Sequence, residues 1–254
     1  MKITNSTIIV IATMSLFQAC DSNRNSQVQY VTSDVEESMY EEEEIFFDEE
    51  KGEAAQTRNF YFLFDGSGSM NEVCSGEKKI KGAQKAVLKF IEKVPNDVNL
   101  GLAIFGVENS KGVEEVVAIG PDNREVFNQA ILDTQPGGGT PLGTATSLAF
   151  AKLLDQYKKQ LGYGEFRLII VTDGLASNPD VFEKALGLSF RYPFISIYGI
   201  GLCMDGGNIL RRYALSYTDA HNYEELEGAL QETIAELPDF DIIDFNPDDY
   251  IIEQ

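Results

Sequence analysis

The chain has 254 residues, 43% of them apolar, and a formal net charge of -21 that comes from 41 acidic against 20 basic residues. That length suits one α/β domain with flanking segments and is short for two. The charge excludes a basic nucleic-acid footprint, and an anionic membrane surface would repel such a chain. The excess is uneven: residues 21–58 hold 12 acids and 3 bases, and residues 236–254 hold 7 acids and no base, so 16 of the 21 net negative charges lie in the flanks.

At the N-terminus, Lys2 precedes the 11-residue apolar stretch Thr7 to Phe17. It is too short for a stable membrane-spanning helix and has the layout of a secretory signal. Gln18, Ala19 and Cys20 follow, and a small residue directly before a cysteine resembles the bacterial lipobox, although Leu16 stands four residues before the cysteine instead of three. The resemblance implies a lipoprotein-type signal over 1–19, a lipid attached to Cys20, and an exported protein anchored at the cell envelope, on the periplasmic face or the cell surface. Lipidation of Cys20 leaves Cys74 and Cys203. In an oxidising compartment these two could form a disulfide or stay as separate small apolar side chains.

Residues 20–57 are rich in Ser, Asn, Gln and acids, and read as a flexible tether. Ile45, Phe46 and Phe47 interrupt it, either as a short docking segment or as a tolerated apolar patch. The globular domain is expected over 58–237. Its first strand, Phe60 to Phe64, is a continuous apolar run ending in Asp65-Gly66-Ser67-Gly68-Ser69. Lys79 to Lys93 has apolar residues at helical spacing. Val98 to Phe105 reads as a buried strand, Val113 to Ile119 as a more exposed one, and Asp122 to about Leu132 as a helix.

The loop Pro136-Gly137-Gly138-Gly139-Thr140-Pro141 then opens a long helix to about Leu161, with Thr140 as its expected N-cap. Phe166 to Thr172 is a further apolar strand ending in Asp173-Gly174. Asn178-Pro179 starts a helix, Pro193 to Ile200 is a strand, Asn208 to Tyr217 is expected to be helical, and a last helix runs from Glu224 to Leu237. Strands alternating with helices imply a doubly wound, mostly parallel sheet covered on both faces. The tail, 238–254, mixes acids with Ile242, Ile243, Phe245, Tyr250, Ile251 and Ile252.

Ligands of open α/β sheets bind at the C-terminal edge of the strands. Three segments at that edge offer hard oxygen donors: Asp65, Ser67 and Ser69; Thr140; and Asp173. Such donors suit a divalent cation, Mg²⁺ first, with Ca²⁺ or Mn²⁺ as alternatives. The order DGSGS, GGGTPLG, VTDG resembles the von Willebrand factor type A (vWA) domain and its metal-ion-dependent adhesion site, over about residues 58–236. The resemblance implies direct ligation by the Ser67 and Ser69 hydroxyls, action of Asp65 and Asp173 mainly through water, and Thr140 bound directly or through water. It also implies an open coordination position filled by an Asp or Glu of a protein partner.

The function expected is therefore cation-dependent protein binding at the envelope. The alternative is an assembly component that docks without metal-mediated contact. Enzymatic roles are disfavoured: His221 is the only histidine, and no Cys or Ser motif stands beside it. The glycine-rich loops lack the Gly-Lys-Ser/Thr ending of a phosphate loop, which argues against a nucleotide ligand.

Overall fold

The computed structural model describes residues 29–30, 45–48, 51–107, 112–204 and 207–235. The expected signal segment, Cys20 and the acidic tail 238–254 lie outside the described residues.

Nine strands are described: β1 (Gln29–Tyr30), β2 (Arg58–Asp65), β3 (Val73–Cys74), β4 (Glu77–Lys78), β5 (Asn99–Phe105), β6 (Val113–Gly120), β7 (Glu165–Thr172), β8 (Ile195–Leu202) and β9 (Ser216–Ala220). The helices are α1 (Lys79–Lys93), α2 (Arg124–Asp133), α3 (Leu142–Lys159), α4 (Pro179–Leu186), α5 (Leu188–Arg191) and α6 (Tyr223–Ala235). Among the described residues seven strands form one sheet in the order β1-β6-β5-β2-β7-β8-β9, and β3 and β4 form a separate hairpin. β2, β5, β7, β8 and β9 run parallel, while at one edge β6 pairs antiparallel with β5, and β1 pairs antiparallel with β6.

The hydrophobic pattern explains this order. β2 is buried on both faces along nearly its whole length, so it occupies the middle of the sheet, with β5 on one side and β7 on the other. Because side chains alternate along a strand, Phe60, Phe62 and Phe64 enter the core under α1, α2 and α6, whereas Tyr61 and Leu63 enter the core under α3 and α4. Phe62 packs edge-to-face on Phe90 and Phe127, with ring centroids 5.6 and 5.1 Å away. β6 instead alternates buried and partly exposed residues near the sheet edge, which matches its antiparallel, half-buried setting. Its Glu115 is nonetheless buried; it accepts from the Tyr61 hydroxyl at 3.0 Å and pairs with Lys152 at 2.7 Å.

The chain leaves β2 for β5 and β6 on one side, then returns past β2 to build β7, β8 and β9 on the other. The direction of winding thus reverses at β2, and the loop leaving its C-terminal end lies at the switch point where such sheets hold ligands.

Three expectations are corrected. Thr140 is not the N-cap of α3: Pro141 holds that position without a side-chain cap, and the helix starts at Leu142. Asn208 to Tyr217 is not a helix. It contains only a 3-10 turn, Ile209–Arg212, after which Ser216 begins β9, because pairing with β8 outweighs local helical spacing. Parts of the expected tether also pack on the domain: Ile45 sits against the core beneath α3, and Phe47 lies 5.6 Å from the ring of Tyr157.

Candidate functional site

Asp65 ends β2 and is fully buried. Its Oδ1 accepts the Ser67 backbone N–H at 2.7 Å, the local turn that Asp favours, and its Oδ2 accepts the Thr172 hydroxyl at 2.6 Å. The chain then curls into a 3-10 turn, Gly68–Asn71, whose Met70 is buried beneath it. This brings Ser67 Oγ within 3.0 Å of Ser69 Oγ, and Ser69 Oγ donates to Asp173 Oδ1 at 2.7 Å. Two strand ends, β2 and β7, thus meet in one hydrogen-bonded chain that runs from Asp65 through the Ser67 N–H and the two serine hydroxyls to Asp173.

The glycine-rich loop is laced to this turn by its backbone. Gly68 N–H donates to the Gly138 carbonyl at 2.8 Å, and Gly137 N–H to the Gly66 carbonyl at 3.0 Å. Close approach of three backbones explains the glycines. Gly106, after β5, has φ +74°, and a Cβ there would lie 2.9 Å from Ser67 N and Ser67 Cα.

Because Thr140 does not cap α3, its backbone is used differently. Its carbonyl accepts from the Leu142 and Ser177 N–H groups at 2.8 and 2.9 Å, and its own N–H donates to Ser177 Oγ at 2.9 Å. A methyl group on Gly174 would lie 3.7 Å from both Ser69 Oγ and Thr140 Oγ1, so these two hydroxyls flank one spot beside Gly174. Asp65, Ser67, Ser69, Thr140 and Asp173 accordingly gather at one edge of the sheet. Four residues not expected as part of the site join them: Thr172, Ser177, Lys79 and Glu72. Lys79 Nζ donates to Asp173 Oδ2 and to Glu72 Oε2, each at 2.9 Å. The signal that could have revealed Lys79 is its place in the first turn of a helix with no acid there.

Burial pushes the Asp65 carboxyl up from 3.8 to about 6; hydrogen bonds from Ser67 and Thr172 pull it down and the charge of Asp173 pushes it up. Burial alone would lower the Lys79 ammonium, but its bonds to Glu72 and Asp173 outweigh that and hold it above its usual value. Asp65 is therefore a buried acid with no cationic partner in its hydrogen-bond set. Hydroxyl and carboxylate oxygens of this kind fit a hard divalent cation, which would favour the charged form. Among the described residues, no three His, Cys, Asp or Glu side chains converge as a metal cluster. The donor set is two carboxylates and three hydroxyls.

Cys74 and Cys203 form a disulfide, with Cα atoms 6.4 Å apart, that ties the β3–β4 hairpin to the end of β8. His221 is exposed, and its backbone makes its contacts: the N–H donates to Glu225 at 2.7 Å and the carbonyl accepts from Ser75 Oγ at 3.1 Å. The side-chain neighbour of Ser67 is Ser69. No helix among the described residues is long and apolar enough to cross a membrane.

Residues 60–175 match the family model of the von Willebrand factor type A domain. The fold is that of a vWA domain. The chain is 15% identical to the pilus adhesin SpaC of Lactobacillus rhamnosus GG, with a TM-score of 0.59 over 73% of this chain and 31% of that one. A vWA protein of Catenulispora acidiphila gives a TM-score of 0.56 at 17% identity, covering 71% of this chain and 42% of that one. In sequence, YwmD of Bacillus subtilis is 27% identical over 191 residues, 68% of this chain and 84% of YwmD. No enzyme family is indicated by these matches. The vWA model spans the DGSGS turn, the glycine-rich loop and Asp173 together, so all five candidate ligands fall inside the matched region.

Proposed function

We propose that this vWA domain binds one divalent cation, Mg²⁺ first, and through it an Asp or Glu of a protein partner. Ser67, Ser69, Thr140, Asp65 and Asp173 would hold the cation. Bound there, it would supply a positive centre that a partner's carboxylate can meet, so affinity would depend on both the metal and that acid. The observation that carries this reading is the convergence of two buried carboxylates and the Ser67–Ser69 hydroxyl pair, from separate strand ends, at the switch point of the sheet. Asp65 gives it chemical direction, because a carboxylate raised to about 6 by burial gains most from a cation.

Export and a lipid anchor on Cys20 belong to the same proposal. Their support is the apolar stretch before Cys20 and the acidic residues that follow it in the sequence. At an envelope surface the cation would then serve adhesion or scaffolding. Calorimetric titration of the protein with Mg²⁺, Ca²⁺ and Mn²⁺ tests the metal half. Saturable binding that disappears in Asp65→Ala and Asp173→Ala is expected, and heats that are absent, or unchanged by both substitutions, would reject it.

A further inference from the structure

A cation is already built into this site. Lys79 begins α1, and its side chain is 8% exposed while it spans from the fully buried Asp173 carboxylate to the largely exposed Glu72. Helix N-termini carry partial positive charge and favour acids, yet the first turn of α1 contains no acid and begins with this lysine. A local preference broken in this way usually marks a functional constraint.

The segment that presents the ammonium is also braced. Lys79 N–H donates to the Glu72 carbonyl at 2.9 Å. The hairpin between them is held by the Cys74–Cys203 disulfide, and the Tyr223 hydroxyl donates to the Cys74 and Glu77 carbonyls at 2.8 and 3.0 Å. The ammonium is therefore pinned against Asp173 from outside the oxygen cluster.

Asp173 consequently faces two ways: Oδ1 receives the Ser69 hydroxyl, and Oδ2 receives Lys79. Resting on the cation reading above, we propose that Lys79 acts on the site through its charge: held on Oδ2 of Asp173, it trades cation affinity for residual positive charge. Asp65 and Asp173 together would neutralise a divalent cation. Among the buried charges Lys79 then leaves one positive charge over, and a partner's carboxylate meets net attraction instead of a neutral centre. Glu72 opposes Lys79: its negative charge draws off part of the ammonium's effect, and solvent screens that contribution because Glu72 is mostly exposed.

The two charges around Asp173 therefore predict effects of opposite sign. Full-length wild type, Lys79→Met, Lys79→Arg and Glu72→Gln are titrated with MnCl₂ by calorimetry, with Lys81→Met, on the same helix, as the control. Lys79→Met is expected to tighten Mn²⁺ binding about tenfold. Glu72→Gln is expected to weaken it by a smaller factor of about two to three, and Lys79→Arg and Lys81→Met to stay near wild type. With Mn²⁺ saturating, acetate titrated as a carboxylate probe should bind wild type more tightly than Lys79→Met.

A purely structural lysine would weaken binding on loss and give Glu72→Gln no opposite effect, and that result overturns the inference. Equal Mn²⁺ affinity in wild type, Lys79→Met and Glu72→Gln also overturns it, while leaving the cation reading intact. Absence of Mn²⁺ binding in every variant overturns the cation reading itself. Thermal unfolding of each variant checks folding, and Glu72→Gln, at an exposed side chain, keeps the test open if Lys79→Met fails to fold.

Discussion

Asp65→Asn separates the charge of the buried carboxylate from its shape. The amide oxygen can still accept from Ser67 N–H, and the Thr172 hydroxyl can turn to accept from the amide, so the two hydrogen bonds of Asp65 keep their geometry. What changes is the cost of burying a charge. Burial lifts the carboxyl from 3.8 to about 6. Because the folded-state value lies above the unfolded one, the group contributes stability that is fully present below about 3.8 and is lost as pH rises through about 6.

A shift of about two units corresponds to about 3 kcal/mol against the charged form at neutral pH. Replacing charge-assisted hydrogen bonds by neutral ones costs about 1 kcal/mol of that. The variant without cation should then be about 2 kcal/mol more stable than wild type near pH 8, or about 4–8 °C in Tm for a domain of this size. Scanning calorimetry in EDTA at about pH 8 and about pH 4.5 reads the difference, which should shrink strongly at the lower value. Excess Mg²⁺ should raise the wild-type Tm and leave the variant unmoved. A destabilised variant near pH 8, or a difference independent of pH, would refute the reasoning.

Two further substitutions probe the frame around the site. Gly106→Ala combines a positive φ with a Cβ 2.9 Å from the Ser67 backbone, so it should lose at least about 2 kcal/mol and weaken cation binding; urea unfolding with near-wild-type stability would contradict the packing described. Cys203→Ala removes a bridge between residues 129 apart in sequence. Its loss should cost about 3–5 kcal/mol in the loop-entropy account, matching the effect of reductant on wild type, and an unchanged denaturation midpoint would argue against a stabilising bridge.

Much of the fold was legible because its signals are continuous. β2 and β5 are continuous apolar runs, and β7 is one interrupted by Arg167, that only a sheet covered on both faces can bury, and the apolar spacing of Lys79–Lys93 marks α1 with its observed bounds. Shorter elements were less readable. Ile209–Arg212 carries helical spacing for a single turn, and the following residues, Ser216 to Ala220, are only partly apolar, so their strand pairing with β8 is a tertiary effect. Thr140 before Pro141 has the composition of a helix cap, yet the loop's bonds to Ser177 pull its backbone into another role.

The oxygen donors themselves were visible, since Asp65, Ser67, Ser69 and Asp173 each stand at a strand end with glycine beside them. Their electrostatic surroundings were hidden. Lys79 lies 94 positions before Asp173, and nothing in a one-dimensional pattern pairs them. Thr172 reads as one more strand residue until its hydroxyl is found on Asp65.

The most direct test of the central claim is an anomalous difference map from crystals of the protein grown with MnCl₂. The account predicts one strong peak bounded by Ser67 Oγ, Ser69 Oγ and the Thr140 side chain, with Asp65 and Asp173 reaching it directly or through water. A featureless map at that edge of the sheet, at Mn²⁺ concentrations well above those of the titration, would contradict it.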